Sequence, residues 1–296
     1  MLNRKTTGER IFSAANLVFM VFVILVTLYP IYHVLMASFS DTTQLMAHRG
    51  LLLRPAGFST FAYKKIMENQ MVVIGYKNTL IILVLGMAVS MLLTLFGGYF
   101  LSRKDVKWRN LIMILITITI TMYFSGGIVP LYLVVKSLQM DNTLWALVLP
   151  SAISTYNLII MRTGFQGIPD GLEEAARIDG AGHLTILFRI CVPVIMPTIA
   201  VLLLYSAVGI WNAWFYASIF VTERQLFPLQ LVLREILILS DTQAMASSSV
   251  GMGDVEALTA TIKYGVIIVS TVPILCLYPF LQRYFEKGIM VGSLKG

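Results

Sequence analysis

Charge is scarce in this chain. Asp, Glu, Lys and Arg make up 12% of its 296 residues, against about a quarter in a soluble domain. Hydrophobic residues make up 57% and the mean hydropathy is +0.81. This balance excludes an ordinary water-soluble domain and points to an integral membrane protein. Cysteine is nearly absent. Cys191 and Cys276 lie at or within apolar segments, which excludes a disulfide framework and reads as small buried hydrophobes. His33, His48 and His183 are scattered, without metal-ligand spacing, so no metal site is expected. The phosphate-cradling pattern G-x-x-x-x-G-K-[ST] is also missing. No catalytic residue is expected, and any pump to which this chain belongs must draw its energy from another polypeptide.

What is present in abundance is long apolar sequence. A membrane-spanning helix needs about 20 apolar residues, and the chain offers six such runs: about 11–36, 71–101, 111–135, 144–161, 194–221 and 264–281. The second and fifth exceed what a span needs, so tilt or extension past the bilayer is expected. The first is too long for a signal-peptide core and is not followed by a cleavage site, so it reads as a retained helix. The fold class expected is an all-α membrane protein of six transmembrane helices. It forms a single domain over 1–296, with a core bundle at about 71–281, a cytoplasmic loop at 162–193 and an N-terminal helix at 1–36.

The net charge of +7 could suggest nucleic acid, but basic residues marking the inner face of a membrane explain it better, and no nucleic-acid partner is expected. With both termini inside, the inner segments carry 13 of the 22 Lys and Arg residues. The 102–110 turn is the more decisive signal, since Arg103, Lys104, Lys107 and Arg109 crowd into it and short loops govern topology. The 162–193 loop therefore faces the cytoplasm.

The central parts of the six runs contain no Asp, Glu, Lys or Arg; Lys77 lies near the outer end of the second. A proton- or sodium-coupled carrier ordinarily needs an intramembrane carboxylate or broken helices, and the sequence offers neither clearly. An ion-coupled secondary sugar carrier is thus the disfavoured rival. A non-transport membrane subunit, whose cytoplasmic helix binds a regulator, is the other.

The 162–193 loop has structure of its own. Pro169 often precedes a helix, Asp170 and Glu173 have the spacing of a capping box, and Leu172, Ala175, Ala176 and Ile178 form a small apolar stripe. Glu173, Glu174, Arg177 and Asp179 add charge, and the alanines permit close approach of a partner. Gly180 and Gly182 can end the helix, and a second short helix over about 183–190 leads to Pro193. On these grounds alone, a solvated connecting helix and a docking element stand level.

Glu174-Ala175-Ala176, three residues, Gly180, nine residues, then Ile190-Cys191-Val192-Pro193 resembles the EAA loop of ABC importer permeases. Their pattern ends I-x-L-P, so only the Leu differs, as Val192. Over nearly its full length the chain resembles the maltose-type sugar permeases, a family of binding-protein-dependent inner-membrane components. The tail Gln282-Arg283-Tyr284-Phe285-Glu286-Lys287-Gly288-Ile289-Met290, with Gly292 and Lys295-Gly296, is similar to theirs. Phe124-Ser125-Gly126-Gly127-Ile128-Val129-Pro130 and Asn142-Thr143-Leu144-Trp145 resemble a subgroup importing oligosaccharides from plant or algal polysaccharides.

The resemblance implies a type I ABC importer permease fold with a cytoplasmic EAA coupling helix, in a bacterial cytoplasmic membrane. It implies a second homologous permease forming a heterodimer, two ATP-binding subunits, an extracytoplasmic solute-binding protein and an oligosaccharide substrate. ATP and Mg belong to the partner ATPases, and this chain binds no cofactor. Glu174, Ala175, Ala176 and Gly180 would be the coupling residues, with Leu172, Glu173, Arg177, Ile178 and Asp179 around the contact.

Sugars are held by aromatic faces and hydrogen-bonding side chains. Candidates within the runs are Tyr123, Tyr156, Asn157, Trp211, Asn212 and Trp214. For the aromatics, helix packing or an interfacial belt is the competing role; for the amides, it is a neighbouring helix. The outer segments 37–70 and 222–263 either receive a binding protein or cap the bundle. The outward face carries nine basic and eight acidic residues, so charge does not choose between a neutral and an acidic sugar.

Overall fold

In a computed structural model, the residues described are 7–121, 126–248, 261–276 and 279. They are mostly helical. In chain order the helices are α1 Thr7–Ser38, α2 Thr42–Ala47, α3 Phe61–Glu68, α4 Gln70–Ser102, α5 Arg109–Thr121, α6 Ile128–Ser137, α7 Trp145–Val148, α8 Thr155–Gln166 and α9 Asp170–Ile178. They continue as α10 His183–Val194, α11 Met196–Trp211, α12 Phe215–Phe220, α13 Leu229–Ser248 and α14 Thr261–Cys276. The chain divides into two compact units: 1–69 with 235–271, and 70–234 with 272–296.

Within the first unit, α1 leaves its apolar residues bare; none of its most apolar window is buried. Water would penalise so large an exposed apolar surface, whereas a hydrocarbon layer would not. The segment after α1 is tied back to it: the Leu52 amide donates to Tyr29 Oη at 3.0 Å and Tyr32 Oη donates to the Leu53 carbonyl at 2.7 Å. Asp41 caps α2 by accepting from the amides of Thr43 and Gln44, and the Thr43 hydroxyl with these amides lowers its carboxyl pKa. Gly265 of α14 allows close approach to α3, since a Cβ there would meet Ala62 Cβ at 3.1 Å.

The second unit is organised around α4, which packs against α8 and α11. Small residues make this possible. A Cβ on Gly98 would sit 2.6 Å from Met161 Cγ and 3.2 Å from the Arg162 amide nitrogen, so only glycine lets α4 and α8 come so near. The buried core of this unit includes Leu95, Tyr99, Met161, Phe165, Ile186, Leu187, Cys191 and Leu202.

Several expectations change here. Among the described residues, only α1 and α4 are single helices long and apolar enough to cross a membrane. The proposed third run is interrupted at Gly126 and Gly127, which adopt positive φ just before α6. The fourth and fifth are broken between α7 and α8 and between α11 and α12. Breaks of this kind were not evident from the uncharged apolar runs, because hydropathy does not register where hydrogen bonding stops. α10 and α11 meet at an 84° bend. Pro193 and Pro197 each remove a backbone donor at the joint, and residues Ile186–Cys191 wind as a wider π-helix just before it, another cause of bending. Cys191 is buried as expected, but Cys276 is exposed on an α14 surface that also exposes Val272 and Leu275. The outer segments carry helices, α2 and α3 in the first and α13 in the second. The C-terminal tail 282–296 lies outside the described residues.

Candidate functional site

Helix α9 is amphipathic in an unusual sense, with one face latched to its own chain and the other left open. The inward face is short. Ala176 is 7% exposed and joins the hydrophobic core. Glu173 is 8% exposed and pairs with Arg103, while Cys191 Sγ lies 3.5 Å from Glu173 Oε1. Outside this pair, Lys104 Nζ lies 2.9 Å from Asp170 Oδ2. That hydrogen bond and the lysine charge hold the Asp170 carboxyl pKa below its ordinary value. The expected capping box therefore does not form: the α9 N-terminus has no side-chain cap, because each carboxylate is taken by a cation of the 102–110 turn.

The outward face carries Leu172, Glu174, Ala175, Arg177, Ile178 and Asp179, all exposed. Residues three apart share a helix face, so Leu172, Ala175 and Ile178 form one stripe. Leu172 is 46% exposed and Ile178 86%, a poor arrangement for a helix facing only water. The stripe read from the sequence is corrected in one member: Ala176 turns inward and is unavailable to a partner.

The helix stops at Gly180, whose φ is +79°. The Ala181 amide donates to the Ala176 carbonyl at 2.9 Å and the Gly180 amide to the Arg177 carbonyl at 3.0 Å. These two bonds are the Schellman termination, which requires a left-handed residue at the position of Gly180.

A second feature of the same unit is a cavity of about 400 Å³, a size suited to a small ligand. Its wall comes from α4 (Thr79, Ile82, Ser90), the α7–α8 region (Ser151, Ser154, Asn157), α11 (Tyr205, Ser206, Gly209) and α12 (Tyr216). The wall is mainly apolar, with hydroxyls and the Asn157 amide as its polar groups, and among the described residues no Asp, Glu, Lys, Arg or His lines it. Asn157 is 7% exposed; its amide nitrogen Nδ2 donates to Ser206 Oγ at 3.4 Å.

Of the described residues expected to meet substrate, only Asn157 lines this cavity. Tyr156, its neighbour on α8, is 60% exposed on another face. Trp211 is buried, with Tyr76 6.3 Å away between ring centroids. Asn212 is exposed and bonds the Val208 carbonyl at the end of α11. Trp214 lies under the Arg234 guanidinium at 3.6 Å. Tyr123 lies outside the described residues. The serines and Tyr205 were missed because a hydroxyl within an apolar run carries no linear signal; the recurrence of Ser151 and Ser154 at helical spacing beside Asn157 is the one hint.

The comparisons agree with this architecture. The family model of the binding-protein-dependent transport system inner membrane component matches residues 6–291. The chain belongs to that family and is a permease component of an ABC transporter, set in the membrane, rather than an enzyme. Protein LplC of Bacillus subtilis is 39% identical over 291 residues, covering 98% of this chain and 97% of that protein. The polygalacturonan/rhamnogalacturonan transport system permease protein YtcP of the same organism is also 39% identical, covering 97% of this chain and 99% of its own length. A solved bacterial ABC transporter, involved in the import of the acidic polysaccharide alginate, has a chain that superposes with a TM-score of 0.81. The two are 27% identical, with 95% of this chain and 99% of that one covered.

Proposed function

We propose that this chain is half of the translocation pathway of an ATP-driven oligosaccharide importer, working as a heterodimer with a second permease. It crosses the membrane six times with both termini in the cytoplasm. Helix α9 seats in one of two ATPase subunits, which hold ATP and Mg, and a solute-binding protein delivers sugar from outside. The observation that carries the docking reading is the open stripe of Leu172, Ala175 and Ile178 beside Glu174, on a helix whose opposite face is already fixed to its own chain. Glu174 pairs with a basic group of the ATPase, Ala175 allows close contact, and Gly180 sets the end of the helix.

The cavity is the proposed sugar path in this subunit. Hydroxyls and an amide suit the polyhydroxylated face of a saccharide, and the relatives' names extend to polygalacturonan, rhamnogalacturonan and alginate transport. Fragments of pectin or alginate are therefore the first substrates to try. Uptake into proteoliposomes holding the whole complex and the binding protein is expected to require internal ATP. Uptake that instead follows a proton or sodium gradient identifies a secondary carrier and overturns the proposal; absence of transport, with a regulator bound to α9, favours a non-transport subunit.

A further inference from the structure

The docking helix must pass its movement to the pathway, and the ion pair beneath it offers a route. We infer that Arg103 and Glu173 form the link between α9 and α4, acting as positioning residues for the conformational switch; this rests on the docking reading above.

Successive residues on a helix point about 100° apart, at 3.6 residues per turn. Glu173 therefore points into the protein while Glu174 points out, and the two carboxylates do different work. Glu173 meets Arg103, with side chains only 10% and 14% exposed. Arg103 follows immediately on Ser102, the last residue of α4. Its guanidinium also lies over the Tyr99 ring of α4, 4.2 Å from the centroid. The turn is braced further: Arg109 Nη1 donates to the Arg103 carbonyl at 3.0 Å, and Arg162 Nε donates to the Leu101 carbonyl at 3.1 Å.

A buried charge that loses its partner is strongly disfavoured, so these two groups stay together when either helix shifts. Displacement of α9 is then displacement of the end of α4. That helix is one 33-residue rod, and it carries Thr79, Ile82 and Ser90 into the cavity. The exposed Lys104–Asp170 pair is screened by water and can exchange partners, so it does not enforce the same link.

The test reads cavity access directly and needs no known sugar. In the complete transporter with Cys276→Ala, Ser151→Cys places one reactive thiol in the cavity wall. Its alkylation by an impermeant maleimide added outside is timed with and without internal ATP. ATP is expected to change the rate. Arg103→Gln and Glu173→Gln are each expected to retain copurification with the ATPase yet diminish the ATP effect about tenfold, within the ordinary range of coupling between two sites. The double variant Arg103→Glu with Glu173→Arg is expected to restore most of it.

A full ATP effect in both single variants overturns the inference, as does loss of ATPase copurification in them, or failure of the charge exchange to restore any response. Failure of the docking reading looks different: the parent shows no ATP effect, or Glu174→Ala retains both copurification and the full effect.

Discussion

Asn142 Oδ1 accepts three hydrogen bonds from one neighbouring loop. The Thr222 amide donates at 2.6 Å and its hydroxyl at 2.9 Å, and the Glu223 amide donates at 3.2 Å. Asn142 itself has φ of +53°, a conformation that Asn and Asp accept more readily than other non-glycine residues, and its amide donates to the Phe220 carbonyl at 2.9 Å. The residue joins the turn before α7 to the end of α12. Replacement by Val removes the acceptor and adds a branched side chain in a left-handed backbone. The expected loss is about 2–3 kcal/mol from the bonds and the strain. Asn142→Asp keeps both acceptor and conformation and should remain near the parent. Thermal unfolding in detergent separates the two.

Gly180 is conformational rather than steric. A Cβ there would meet nothing within 4 Å, so the cost of Gly180→Ala is the left-handed backbone alone, about 1 kcal/mol. Gly180→Asn should cost less. Retention of ATPase copurification should follow the order Gly, Asn, Ala, Val; an order set by side-chain volume alone would contradict this account.

Gly98 is the opposite case. Its missing Cβ makes room for Met161, so Gly98→Val should destabilise by about 1–3 kcal/mol or more through overpacking. Adding Met161→Ala should recover part of that loss, measurable as folded yield and midpoint of thermal unfolding.

The cavity assigns different weights to neighbouring residues. Asn157→Leu removes the side-chain amide from its wall, and Tyr205→Phe removes one hydroxyl. Each should weaken transport by roughly 1 kcal/mol, or about fivefold in the apparent KM for sugar. Tyr156→Leu should leave KM unchanged. The reverse pattern would remove the cavity from the pathway.

Acid tests the outer latch. Lys104 depresses the Asp170 pKa, so the ionised pair's contribution is present above the ordinary Asp value of 3.8. It is lost only as pH falls through the lower, folded-state value. Lys104→Gln should return the carboxyl toward its ordinary pKa, as read by NMR of labelled Asp170. Because the pair is exposed, high salt should have the same effect in direction.

The sequence was enough for the class of molecule. Scarce charge and long apolar runs dictate burial in lipid, since only hydrocarbon tolerates surfaces like that of α1. The spacing from Glu174 through Gly180 to Pro193 marked a short helix and its stop, because chain reversal is a local requirement that particular residues must meet. The division of labour within that element was not legible. Glu173 and Glu174 are adjacent and identical, and Ala175 and Ala176 are too; only the position of Arg103 and of the core around Met161 and Leu187 decides which member turns inward. The cavity belongs to the same category. Its wall is assembled from four separated stretches, and a serine signals nothing until packing places it beside Asn157. Hydropathy and local geometry are properties of the chain itself, whereas facing direction and enclosed space are properties of elements packed against one another.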